Sequence, residues 1–576
     1  MPALFAVVIA MFSLESRPAA VPQALAADVL FDGRVALSDA RRLAAAHPDR
    51  RPATTGDRLV AAQVAGRLRA DHFDVSVDRF SADGRQLVNV VGRRVGATPR
   101  QLVVVAARDA RTVPDLAGSA ADTAALMEVA RTLEGRVTSK TLVLASVDGS
   151  TLGAAGARRL AGRLAAAGPV EAVVVISQLG VARAKGPLLV PWGDSAARGG
   201  LRLQRTLDDS LRLEVERGGA GSGAGTLSQF GRLALPVAVG DQAPFLDAGL
   251  DAVRLSGSGE LPPRAQPPPS ADRIGSLGRA TLRSVFAYDS GGRIDEKPRA
   301  FLVVAHKLLP SWAVSLLAAT LLLPLLAAAV DSFARVRRRR EPVIAWLRWL
   351  ASAMLPFLLA LATGELLVLV GQAPDAPPVP LPPRVHPLDG AAGLSLGLCA
   401  LVFVLAWLLL RPRVAAAQRL PAPDRPGAAA ALALALAIAA LGMWAINPFA
   451  ALSILPAFHV ALLVTGSPVA ARRGPALAFL TAALAIPLLV LVGVVGRLSL
   501  GPLSAPWYAF LLLTGHHIGL YTAVLSALLA ACVIAAVHIA LARRPEPPAL
   551  AGPSVLGPGG HAGPGALGGT DSALGR

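Results

Sequence analysis

The chain has 576 residues, 53% of them hydrophobic and only 16% charged, with a formal net charge of +18. Soluble domains carry about 25% charged residues, so a wholly soluble protein is excluded. With two cysteines, Cys399 and Cys532, a disulfide-stapled one is excluded too. The basic excess does not describe a nucleic-acid surface, because no nucleic-acid module surrounds it and in the second half it gathers at the ends of apolar runs; nucleic acid is set aside as a partner.

In chain order, residues 1–27 read as an export signal or N-terminal anchor: 3–12 form a short apolar run, and Ala24-Leu25-Ala26 resembles a small-residue cleavage site, although the first basic residue is Arg17. Residues 28–300 read as one globular domain in which helix and strand patterns alternate. A helix is expected at about 58–70, an extended segment at 73–80, and strands at 87–92 and 102–107. A helix at 121–134, a strand at 141–147, a helix at 151–167 and a strand at 171–177 follow. Then come a helical stretch at 196–214, strands at 235–239 and 251–256, and a helix at 271–288. Buried strands separated by helices predict an α/β domain with helices on both faces of its sheet. In such folds ligands sit beyond the carboxyl ends of the strands, which points to the loops after Ala107, Val147, Ser177 and Gly240.

From 308 to 541 the sequence predicts an all-α transmembrane bundle of about seven helices, at 310–330, 344–370, 391–410, 427–446, 449–467, 475–496 and 519–541. The lipid bilayer is therefore its partner. Residues 301–576 carry 18 Lys/Arg against 8 Asp/Glu. The Lys/Arg gather in alternate linkers: Arg335 and Arg337–Arg340, then Arg411, Arg413, Arg419 and Arg425, then Arg472 and Arg473, then Arg543 and Arg544. With Arg348 and Arg576, 15 of the 18 fall on one side. The positive-inside rule then places 28–300 outside the cytoplasm and the C-terminus inside. The Ala-, Arg- and Pro-rich composition suggests a bacterial plasma membrane. The tail, 545–576, is Pro/Gly/Ala-rich and expected to be disordered. Glu365 and His459 lie within spans, and intramembrane ionisable residues are functional candidates; so do His538 and, just before the last span, His516 and His517.

Six segments carry a resemblance across 41–290: RLVAAQVAGRLRADHFDVSVD at 58–78, LVNVVGRRVG at 87–96, LVVVAARDAR at 102–111, AALMEVARTL at 124–133, TLVLASVDGSTLGAAGARRLA at 141–161 and GDQAPFLDAGLDAV at 240–253. In this order they resemble the co-catalytic zinc aminopeptidases (peptidase family M28-like). The resemblance implies a mixed sheet with helices on both faces and, for the family, two zinc ions held by His, Asp and Glu ligands beside a Glu general base. Carried over by position, the first His becomes Ala107 and the bridging Asp becomes Gly118. The base and the adjacent Glu become Ser150 and Thr151, the third carboxylate falls at Ser177 or Gln178, and the last His becomes Gln242. Asp109 survives, as does Asp241 beside the lost His, with Asp148 nearby. The only histidines between 28 and 300, His47 and His72, precede the core strands. A shifted alignment could restore a carboxylate, Asp115 or Asp122, for the bridge, but not the histidines. The expectation is a metal site that has been lost, no catalytic residues, no metal ligands and no bound cofactor.

Replacement chemistry is not evident. A serine nucleophile needs an adjacent base, none is placed for Ser150 unless a lysine such as Lys185 approaches, and the hydroxyl is expected to cap the helix starting near 151. The Gly-rich 218–225 lacks the Lys-Ser/Thr of a phosphate loop. Three functions follow: a non-catalytic binding or complex-assembly module with a protein or peptide partner at the cleft, an active membrane metallopeptidase with an atypical site, and a transporter-like protein with an accessory domain. The overall plan is similar to that of the Gaa-type subunit of glycosylphosphatidylinositol transamidase. The first function is expected.

Overall fold

The structure is a computed structural model, and it describes residues 2–23, 30–182, 188–215, 225–375, 377, 379–416, 426–466 and 473–542. Ala24–Ala26, Lys185, most of the Gly-rich 218–225 segment, Arg419, Arg425, Arg472, Arg543, Arg544 and the tail lie outside those residues.

Among the described residues ten strands follow one another: β1 Glu15–Ser16, β2 Asp74–Ala82, β3 Arg85–Arg94, β4 Thr98–Ala107, β5 Lys140–Val147, β6 Val170–Ser177, β7 Leu189–Val190, β8 Ala252–Ser256, β9 Phe301–Val304 and β10 Lys307–Pro310. Seven form a mixed sheet in the order β2-β3-β5-β4-β6-β8-β7, with β5, β4, β6 and β8 parallel and the flanking strands antiparallel. The parallel strands are apolar on both faces because helices cover both. Leu102, Val104 and Ala106 of β4 point into a core shared with the helices Gly33–Ala46, Thr55–Ala70, Ala121–Thr132, Leu201–Glu214 and Ala271–Ser290. The alternate residues Val103 and Val105 meet the helices Ala155–Ala167 and Ala243–Asp247. Two helix starts follow from their caps: Thr54 Oγ1 accepts the Asp57 N–H at 3.3 Å, and Ser270 Oγ accepts that of Arg273 at 3.2 Å.

Three local expectations are corrected. Residues 235–239 form no strand; the sheet edge is taken by β7, and Val237 and Val239 are apolar because they pack on Leu498, Tyr508 and Leu512 of the membrane half. The helix expected from 196 begins at Leu201, after Gly199, which packs against the backbone of Ala252 too closely for any side chain. Ser150 does not cap a helix: it opens a short 3-10 turn, Ser150–Leu152, and the next helix starts at Ala155.

Among the described residues six helices are long and apolar enough to cross a membrane: Ser311–Arg338, Val343–Leu369, Gly390–Ala415, Pro426–Ile446, Pro448–Thr465 and Leu520–Ala542. The expected sixth span is not one straight helix. It is the pair Gly474–Ala483 and Ala485–Arg497, bent by 43°, with Pro487 just after the break. A short helix absent from the sequence-based picture, Ser504–Thr514, follows it. Pro426–Ile446 is central and packs against four other spans. Between the two halves, β1, β9 and β10 form a small antiparallel sheet, and the apolar helix Pro2–Phe12 lies along Ser311–Arg338.

The halves are fastened to each other. Trp192, Leu233 and Ala238 of the sheet domain share a core with Val314, Phe449 and Val490, and the Asn447 side-chain amide donates to Leu233 O at 2.7 Å. Arg232 reaches Glu260 at 2.7 Å, and Arg497, at the end of the bent pair, lies 3.9 Å from the same carboxylate.

Candidate functional site

The carboxyl ends of β4, β6 and β8 open into a cavity of about 600 Å³. Its floor is made by the sheet domain, and its roof by the Pro-rich 379–388 loop and the 498–507 segment of the membrane half. Of the residues singled out from the sequence, Ala107, Asp109, Ser150, Thr151, Ser177, Gln178 and Asp241 line it, and so do Asp115 and Asp122. Gly118, Asp148 and Gln242 do not.

Each floor carboxylate is held by its neighbours. Asp109, immediately beyond β4, accepts the N–H groups of Ser150 and Thr151, both at 2.9 Å, and the Thr151 hydroxyl at 2.8 Å. Asp241 accepts the Ser150 hydroxyl at 2.6 Å, and its other oxygen is buried without a partner among the described residues. Burial pushes both carboxyls up to about 6, Asp109 with a further push from the Asp148 charge. Asp122 accepts the N–H groups of Gln178 and Leu179, both at 2.8 Å, and burial raises it well above the carboxylate range. These carboxylates brace the strand-end loops.

Gly118 sits in a tight turn, and a side chain there would meet the Asp115 carboxylate, the nearest atom 2.4 Å from its Cβ. Asp115 therefore fills the space a residue at 118 would need. Asp148 lies beneath the floor, bound with Asp57 to the fully buried Arg108: Asp57 at 2.9 Å and Asp148 at 3.2 Å from the guanidinium. Burial raises Asp148 to about 7. Gln242 is buried away from the cavity, donating to Trp192 O at 2.9 Å. Ser150 gives its hydroxyl to the Asp241 carboxylate rather than to an imidazole or an amine.

A two-zinc hydrolytic centre needs imidazole and carboxylate donors converging on each ion, with a bridging carboxylate. Among the described residues no group of three or more His, Cys, Asp or Glu is arranged to hold a metal ion. His386 is the cavity's histidine, and it comes from the roof loop rather than from a strand end. Among the described residues the sheet domain contributes no imidazole to the cavity lining.

The intramembrane candidates lie apart from this cavity. Glu365 is near the end of its helix, 3.8 Å from His516 Nε2. His459 Nδ1 is 2.8 Å from the Leu455 carbonyl of its own helix, and His538 stacks on Trp349 with ring centroids 5.3 Å apart.

Sequence reasoning missed the roof and the arginines: Arg111, Arg254, Arg264 and Arg384 all line the cavity. The one available signal was the density of prolines around Arg384, a stiff segment too long for a simple turn between spans.

No protein-family model matches the chain, and no curated protein does. Solved structures do. The N-terminal half is similar to glutaminyl cyclases and zinc aminopeptidases. A glutaminyl cyclase from an Acidobacteriales bacterium is 16% identical over 46% of this chain and 98% of its own, with a TM-score of 0.37. A leucine aminopeptidase precursor from Bacteroides thetaiotaomicron is 14% identical over 47% and 99%, with a TM-score of 0.36. A zinc aminopeptidase from Bacillus subtilis is 13% identical over 47% and 98%, with a TM-score of 0.35. The expectation that the protein uses no cofactor is not kept: a zinc aminopeptidase is among the similar structures, and no cofactor is assigned either way.

Proposed function

We propose that this is a membrane-anchored protein whose M28-like domain lies outside the cytoplasm of a bacterial cell and binds a ligand in its cleft without cleaving it by the two-metal route. The observation that carries the reading is the use to which the floor carboxylates are put. Asp109 and Asp122 spend their oxygens on backbone N–H groups, and Asp241 takes the hydroxyl of Ser150, the residue standing where a general base would be. Hydrolysis needs a base and an activated water at that place; a braced, rigid floor suits binding. The alternation of arginine-rich linkers supports the orientation.

The test uses the full chain in detergent, assayed with aminoacyl anilides and short peptides, with and without added zinc. No turnover above a protein-free blank is expected in either condition. Turnover that disappears in Asp109→Asn would overturn the reading.

A further inference from the structure

Arg264 stands on the loop after β8, in the sheet domain, and Arg384 on the Pro-rich loop of the membrane half; both line the same cavity. They are close enough for Arg264 to oppose the charge on Arg384. Arg111 lines the cavity too, spending one N–H on Thr151 O at 3.2 Å. Among the described residues none of the three has a carboxylate within ion-pair distance. Two other seam arginines, Arg232 and Arg497, share one carboxylate, Glu260. Like charges from two halves, brought to one cavity with no carboxylate in ion-pair contact, are a cost that an anion bound between them removes. Planar guanidiniums suit the oxygens of a phosphate in particular.

The floor carboxylates do not block this. Asp109 and Asp122 stand at the strand ends with their oxygens taken by N–H groups, and burial raises both, which lowers the negative charge they present to the cavity. Apolar side chains line the cavity as well: Leu381, Leu388, Leu498, Leu500 and Trp507. These residues stand on the segments that join spans, one between Val343–Leu369 and Gly390–Ala415 and one after Ala485–Arg497. The cavity therefore sits at the span-joining segments, with arginines and apolar side chains both in its lining. Trp507 fixes the roof by donating its indole N–H to His386 O at 2.9 Å.

We infer that the cavity takes the phosphate-bearing headgroup of a membrane amphiphile, gripped between Arg264 and Arg384, with its first apolar groups against Leu381, Leu498 and Trp507. This rests on reading the cleft as a binding site.

The full chain in a neutral detergent is titrated with dioctanoyl phosphatidic acid, dioctanoyl phosphatidylcholine and inorganic phosphate, and binding is read by thermophoresis. Phosphatidic acid should bind about tenfold or more tighter than either other probe, and the Arg264→Gln/Arg384→Gln double variant should lose about tenfold or more of that affinity. Arg264→Lys/Arg384→Lys should retain most of it, and Arg293→Gln, at an exposed pair with Asp295, should change nothing. Inorganic phosphate binding as tightly as the lipid would overturn the amphiphile, and phosphatidic acid binding that is absent or indifferent to the Gln pair would overturn the site. Aminoacyl-anilide turnover, measured on the same preparation, decides the binding-only reading separately: it can fail while the anion still binds, and the anion can fail to bind with no turnover seen.

Discussion

Arg50, Arg108 and Arg198 are among the largest fully buried side chains in the molecule, and all three belong to the sheet domain. Arg108 carries Asp57 and Asp148, Arg50 donates to Pro114 O and Ser119 Oγ, and Arg198 lies between the rings of Trp192 and Phe301 while donating to Gln204 and Gln229. The central helix of the membrane half does the opposite. Pro426–Ile446 buries Ala428, Ala430, Ala431, Ala435, Ala439 and Ala440 and no charged group. In water, folding is driven by apolar burial, and satisfied internal polar networks can be carried at little net cost. In lipid there is no such drive between helices, and close approach of backbones across small residues does the work.

Arg108→Met should break that contrast most sharply, because it strands two buried carboxylates. A loss of about 3–5 kcal/mol is expected, read as a large fall in the melting temperature of the full chain or as loss of folded protein. A variant as stable as the parent would show that the Asp57–Arg108–Asp148 cluster is not what holds β4 to β5. Ala439→Leu tests the other half. Overpacking a site with no free surface should cost about 1–3 kcal/mol and loosen the bundle, read by detergent melting followed by size exclusion. Tolerance of leucine there would mean the alanine seam is not close-packed.

The smallest effect is on pH, and it sharpens the comparison because, among the described residues, the fully buried acids belong to the sheet domain. Asp109 and Asp241 are raised to about 6 and Asp148 to about 7, against an ordinary value near 3.8. Between about pH 4 and 7 the folded chain thus holds more protons than the unfolded one, so this contribution is full below pH 4 and fades as pH rises through 6 to 7. Melting should therefore occur a few degrees lower at pH 8 than at pH 5. A melting point that rises with pH over that range would contradict the burial of these groups.

The sequence by itself determined what depends on spacing along the chain. Apolar runs of membrane-spanning length gave the bundle, because a span must satisfy its own backbone. Alternating apolar strands and helices gave the mixed sheet. Only the tertiary structure decided the rest. Residues 235–239 look like a strand because they are apolar, but their burial is against Leu498 and Tyr508, far away in the chain. Gln242 and Asp148 follow strand-end motifs yet face away from the cavity, since a side chain's direction depends on partners that periodicity does not name. The roof over the cleft, with Arg384 brought beside Arg264, joins residues more than a hundred positions apart, and nothing local in either segment encodes that meeting.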